Sequence, residues 1–193
     1  MLRGLEPEHP SPRIITSTTG YRLTLSGEEL DSNNFNRLLQ SAQAQARGGD
    51  LDHAARSYQD ALALWRGTAL ADTAAHSPWL AAEAAGLDEF TMTFEEATDI
   101  ALAAGRHHAV LSRLIAMASH HPVRERLTRQ LMIALHTSGR QAEALDAYSA
   151  YRTTLRDNFG LDPASSMQRL HLVILAGDPV HDIMRHLRPA PAR

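Results

Sequence analysis

Three glycine-centred turns set the strongest limit on what this chain can fold into. Gly139-Arg140 follows Gly105-Arg106 by 34 residues, and Gly49-Asp50 precedes Gly105 by 56. Apolar residues recur at spacings of three and four on both sides of each turn, so each reads as the bend of a helical hairpin. A period of 34 is that of tetratricopeptide-type arrays, and the interval of 56 predicts an interrupted one. Aligned on the glycines, positions five, six and nine are Ala54, Ala55 and Tyr58; Val110, Leu111 and Leu114; and Ala144, Leu145 and Tyr148. Small or aliphatic residues early in the second helix let two backbones approach, and a larger one fills the gap a turn later.

The rest of the chain is read against those turns. Ile14 to Thr18 and Tyr21 to Leu25 are β-prone runs joined through Thr19-Gly20, which predicts a hairpin. An isolated two-stranded hairpin is marginal in water, so it is expected to pack on the helices or to want a further partner. Phe35, Leu38, Leu39, Ala42 and Ala46 form the first helical stripe; Leu51, Ala54, Ala55, Tyr58, Leu62 and Trp65 form the second. Ser77-Pro78 offers an N-cap and a first-turn proline for one long helix through Phe90, Phe94, Ala97 and Ala101 to Ala104. Val110, Leu111, Leu114, Ile115 and Ala118 follow. After Pro122 come Leu127, Leu131, Ala134 and Leu135, then Ala144, Tyr148, Tyr151, Leu155 and Phe159. Asp162-Pro163 predicts the start of a last helix carrying Met167, Leu170 and Ile174, which Gly177 ends and which closes the array. The expected fold is therefore all-α, a tetratricopeptide-like helical-hairpin solenoid with a short N-terminal β-hairpin.

Composition excludes several function classes. No apolar run approaches the ~20 residues of a membrane span, and Met1 to Pro12 lack the pattern of a signal peptide, so no membrane partner and a cytoplasmic setting are expected. The absence of cysteine rules out disulfides and thiolate chemistry. A net charge of −3 argues against a broad nonspecific grip on nucleic acid, so any DNA contact must be local.

Four segments in order resemble the bacterial transcriptional activation domain of the Streptomyces antibiotic regulatory protein family. They are Leu62-Ala63-Leu64-Trp65-Arg66-Gly67 with Leu70; His121-Pro122 with Arg124-Glu125-Arg126; Met132 to Tyr148 with Ser138-Gly139-Arg140-Gln141-Ala142-Glu143-Ala144-Leu145; and Gly160-Leu161-Asp162-Pro163 leading to Leu170-His171 and Gly177-Asp178-Pro179. Leu2-Arg3-Gly4-Leu5-Glu6-Pro7 is similar to the end of that family's recognition helix, and Ile14 to Leu25 to the wing hairpin of its winged helix-turn-helix domain. The earlier strands and helices of that domain have no counterpart here. The resemblance implies three parts: residues 1–30 as a remnant of the winged-helix domain, 31–179 as the activation domain, and 180–193 as a flexible tail. It also implies a transcriptional activator in the control of secondary metabolism such as antibiotic biosynthesis, acting by protein contact with RNA polymerase subunits, itself or a homologous regulator. Promoter DNA would be held through an intact winged helix. A modulator that pairs with intact regulators without DNA, or a general peptide-binding scaffold, is the alternative.

Candidate residues follow. Thr18, Thr19, Tyr21 and Arg22 are the candidate DNA-backbone contacts, since a wing places hydroxyls and Arg on phosphates; the competing reading has the hairpin packed on the helices with Tyr21 buried. Arg113, Arg124, Arg126 and Arg129 form a candidate partner surface, or else a solvated face with ion pairs to neighbours such as Glu125. Trp65, Arg66, Gly67, Gly139, Arg140 and Pro163 are a structural signature, with Trp65 anchoring a turn. The eleven histidines include His107-His108, His120-His121, and His181 with His186, none at the spacing of four that puts two imidazoles on one helical face. No metal site, cofactor or catalytic residue is expected, because no phosphate-cradling glycine loop, nucleophile elbow or carboxylate pair with an adjacent His occurs.

Overall fold

Each of the three aligned glycines takes the left-handed backbone conformation that L side chains adopt at a cost of about 1–2 kcal/mol: φ is +83° at Gly49, +72° at Gly105 and +75° at Gly139. The residue after each glycine then donates its amide to the carbonyl five residues back, Asp50 to Gln45, Arg106 to Ala101 and Arg140 to Leu135, at 2.8 to 3.0 Å. This satisfies a carbonyl that the helix end would otherwise strand and reverses the chain. One turn is thus built three times.

The computed structural model describes residues 14–18, 20–26, 30–65 and 89–178. Strands β1 (Ile14–Ser17) and β2 (Gly20–Leu23) pair antiparallel, with Ile15 opposite Arg22 and Thr16 opposite Tyr21. The strands are shorter than the β-prone runs suggest. Seven helices follow among the described residues: α1 (Asp31–Arg47), α2 (Leu51–Ala63), α3 (Glu89–Ala103), α4 (His107–His120), α5 (Glu125–Thr137), α6 (Gln141–Phe159) and α7 (Ser165–Ala176). Successive helices pack as the hairpins α1/α2, α3/α4 and α5/α6, and α3 also touches α5 while α5 touches α7. That alternate contact is what stacks hairpins into an array. The expected architecture is the observed one, with α7 packed on α5 and α6 at its end.

Seven of the nine aligned positions are buried, and Val110 and Leu145 are half-buried. The core runs continuously from Ala42, Tyr58 and Leu62 through Phe94, Leu114, Leu127 and Ile133 to Tyr148, Met167 and Ile174. Helix α5, touched by α3, α4, α6 and α7, buries every residue from Leu127 to Leu135 except Arg129.

Differences from the expected elements have local causes. The proposed helix from Ser77 is described only from Glu89, and Ser77 to Asp88 lie outside the described residues. Ile115 and Phe159 continue the periodicity of their stripes yet stand 42% and 57% exposed, since no described element covers them. Asp162-Pro163 does not open α7. Ala164 holds the N-cap position and Pro163 is buried just before the helix, while the Asp162 carboxylate turns outward to Arg156 and Arg152 at 3.5 and 3.7 Å.

Candidate functional site

The residues before α4, α5 and α6 sit where Ser, Asp or Asn would accept a hydrogen bond from the helix start, yet all three are arginines without a side-chain cap: Arg106, Arg124 and Arg140. Among the described helix starts, only that of α2 has a side-chain cap, where the Asp50 carboxylate accepts from the His53 amide at 3.1 Å. The His53 ring, 2.7 Å from the same carboxylate, and then the His53 amide hold the Asp50 pKa below its ordinary value. A cation beside the positive end of a helix dipole is unfavourable, so each arginine needs an acid close by. Arg106 finds Asp52 of the preceding hairpin, and Arg140 finds Glu143 one turn on, at 2.7 and 2.6 Å.

Arg124 reaches furthest into the fold. Its Nε donates to Glu95 Oε1 at 2.7 Å and its Nη2 to Glu95 Oε2 at 3.3 Å. The Glu95 side chain on α3 is only 4% exposed. Arg126 donates through Nη2 and Nε to Asp99 Oδ2 at 2.6 and 3.1 Å, and its Nη1 lies 3.6 Å from Glu95 Oε2. Fully buried Gln130 spans the same seam, its Nε2 donating to the Glu95 carbonyl at 2.7 Å and to Asp99 Oδ1 at 2.6 Å. Two acids one helical turn apart on α3 are thereby clamped by two arginines at the start of α5 and an amide at its middle.

This geometry sorts the candidate partner residues. Arg124 and Arg126 are engaged inside the chain, and not by Glu125, which instead accepts from Tyr151 Oη and Ser166 Oγ. Arg113 is exposed on α4, and Arg129 is half-buried with its Nε lacking a hydrogen-bond partner. The four arginines therefore do not present one common face. Nothing in the sequence marks the seam beyond Glu95 and Asp99 standing at a spacing of four; in the fold Glu95 is buried with Thr91 and Thr98, and Asp99 is half-buried.

The joint between α1/α2 and α3 is different. Glu96 Oε2 accepts from Tyr58 Oη at 3.1 Å and from Gln43 Nε2 at 3.2 Å. Burial, with the Glu96 carboxylate adding to it, holds the Tyr58 phenol well above its ordinary range. Beside this, Trp65 meets Phe35 edge-on at 5.7 Å and Phe90 at 5.2 Å, and Phe90 stacks on Phe94 at 6.5 Å. Trp65 thus joins the end of α2 to α1 and α3; Arg66 and Gly67 lie outside the described residues.

In the β-hairpin, Tyr21 is 79% exposed, and Thr18 and Arg22 are exposed as well. Tyr21 is not buried against the helices. Being adjacent on a strand, Tyr21 and Arg22 point to opposite faces, so the fold does not unite them on one side. Thr19 lies outside the described residues. Among the described residues no three His, Asp or Glu side chains converge as metal ligands, and no helix is long and apolar enough to cross a membrane.

The comparisons with known proteins agree with this architecture. Regulatory protein DnrI of Streptomyces peucetius is 39% identical over 180 residues, covering 91% of this chain and 65% of that protein. Regulatory protein AfsR of Streptomyces coelicolor is 36% identical over 168 residues, 86% of this chain and 17% of AfsR. The chain thus spans from about a sixth to two-thirds of these relatives. The solved structure of Mycobacterium tuberculosis EmbR in complex with a low-affinity phosphopeptide superposes with a TM-score of 0.77 at 30% identity, over 91% of this chain and 46% of that one. The model of the bacterial transcriptional activator domain matches residues 30–175, the whole helical array but for its last residue, and this chain belongs to that family.

Proposed function

We propose that this chain serves as a transcriptional activator in the control of secondary metabolism, working through protein contacts of its stacked helices. The observation that carries the reading is the family match over residues 30–175, with relatives named as regulatory proteins. Residues 1–30 are assigned to a winged-helix unit, 31–179 to the activation domain and 180–193 to a tail. The setting is cytoplasmic, and the role is regulatory rather than catalytic.

The contacts divide between the two ends. Contacts to DNA phosphates are assigned to Thr18, Thr19, Tyr21 and Arg22, but promoter reading requires an intact winged helix. On the helices, Arg113 and Arg129 are the arginines of the set with no internal acid partner in the seam, and RNA polymerase subunits are the partners assigned to them. The EmbR structure carries a phosphopeptide, which supports peptide recognition by a protein built in part on this fold.

Purified chain is titrated against purified RNA polymerase holoenzyme, with and without promoter DNA. Saturable binding that Arg113→Glu and Arg129→Glu together weaken tenfold or more supports the reading. No binding to polymerase, with tight binding to an intact homologous regulator, overturns it in favour of a DNA-independent modulator.

A further inference from the structure

The turn that reverses each hairpin occurs a fourth time, at the end of α7. Gly177 takes the left-handed conformation with φ +74°, and the Asp178 amide donates to the Val173 carbonyl five residues back at 3.2 Å. The turns at Gly49, Gly105 and Gly139 have the same two features, and each leads at once into a second helix. Asp178 falls where Asp50, Arg106 and Arg140 stand. The match with the first turn goes further, because Gly49-Asp50-x-x-His53 is repeated as Gly177-Asp178-x-x-His181. In the first copy the aspartate caps α2 by accepting from the His53 amide. Pro179 then occupies the first helical position, which proline favours.

The residues after this turn carry an apolar stripe of their own. Val180, Ile183, Met184 and Leu187 recur at three and four, with Asp182 and Arg185 on the opposite side. Helix α7 presents a matching row that no described element covers: Leu175 and Leu172 are 56% and 60% exposed, in line with exposed Gln168. Folded back through the turn, the two rows meet as Leu175 with Val180, Leu172 with Ile183 and Gln168 with Leu187. The exit from α7 is also fixed, since Gln141 Nε2 donates to the Ile174 carbonyl at 2.6 Å and the His136 ring contacts the Asp178 carbonyl at 3.0 Å. So short a connection costs little to close. We infer that residues 179–187, which lie outside the described residues, form the second helix of a fourth hairpin and dock on the outer side of α7. The occupant of that face is the chain's own C-terminal segment, and the array then ends on a polar surface, as a terminal repeat must. Only residues 188–193 of the assigned tail are left beyond it.

The chain has no cysteine, so a thiol introduced by Leu172→Cys reports on that face alone. It is expected to react with a maleimide at least about tenfold more slowly than Ser149→Cys, an exposed reference site on α6, at every protein concentration. Ile183→Arg with Leu187→Arg should bring the two rates together, with circular dichroism as the control for folding. A Leu172→Cys thiol that reacts as fast as the reference, or one whose protection ignores the two arginines, overturns the proposal. So does protection that disappears on dilution, because a second copy would then be the cover. Amide hydrogen exchange of the unmodified chain needs none of these variants: slowed exchange from Ile183 to Leu187 is expected, and exchange there at the rate of an unstructured peptide overturns the helix. Polymerase binding is a separate measurement, and the proposed function stands or falls without this helix.

Discussion

The two joints of the array solve one problem with different chemistry. Where α3 meets α1 and α2, the contact is a chain of aromatic rings and neutral donors to Glu96. Where α3 meets α5, it is a seam of two carboxylates and two guanidiniums around a buried amide. Rings tolerate small shifts because their attraction is broad, whereas a buried ion pair is favourable only in close geometry and is costly when half of it is lost. The first joint can slide slightly; the second fixes the register of its hairpins.

Removing one member of the seam should have the largest effect. Arg124→Met leaves Glu95 buried with only the longer contact to Arg126, and should cost about 3 kcal/mol in urea unfolding. The double variant Glu95→Gln with Arg124→Met should recover much of that loss. A double variant as unstable as the single one would show that the arginine acts by packing alone. At the aromatic joint, Trp65→Ala should cost about 2–3 kcal/mol, the lower side for a large aromatic because Trp65 is only half-buried. A Trp65 variant more damaging than Arg124→Met would reverse the ranking of the joints.

Smaller effects sharpen the contrast. Tyr58→Phe removes one of two donors to Glu96 and should cost about 1 kcal/mol. Tyr151, whose phenol burial and the Glu125 carboxylate push up to about 12, adds a pH signature. The unfolded phenol loses its proton near 10 while the folded one keeps it, so stability should fall as pH rises from about 10 to 12. Tyr151→Phe should flatten that slope in alkaline thermal melts. Arg106→Ala breaks an ion pair whose Asp52 side chain is 64% exposed, and should change stability by less than about 1 kcal/mol.

The hairpins were legible in the sequence because their signal is local. A glycine that must turn left-handed and apolar residues at fixed offsets are set within twenty residues, and Gly49, Gly105 and Gly139 all behave as the spacing predicts. The seam was not legible, because Glu95 and Arg124 are 29 residues apart and each looks like an ordinary surface residue beside its neighbours. Burial of Glu95 follows only once α5 is laid against α3, a fact of stacking that periodicity does not carry. Phe159 errs the other way: it keeps a helical rhythm, but its position at the end of α6 puts it in solvent. For the candidate site, the resemblance marked Arg124 and Arg126 by their place in a motif, and the fold then gave those side chains an internal engagement.

Arginine in the place of a cap has a bearing on how the molecule folds. The first turn of α5 has no acceptor of its own, and the positive charge at its threshold is neutralised by a carboxylate carried on α3. A helix that depends on another hairpin for its beginning is a poor candidate for independent nucleation. Hairpins joined this way should melt together from α3 through α6, in one cooperative transition, whereas arrays of self-capped repeats can fray from either end one unit at a time.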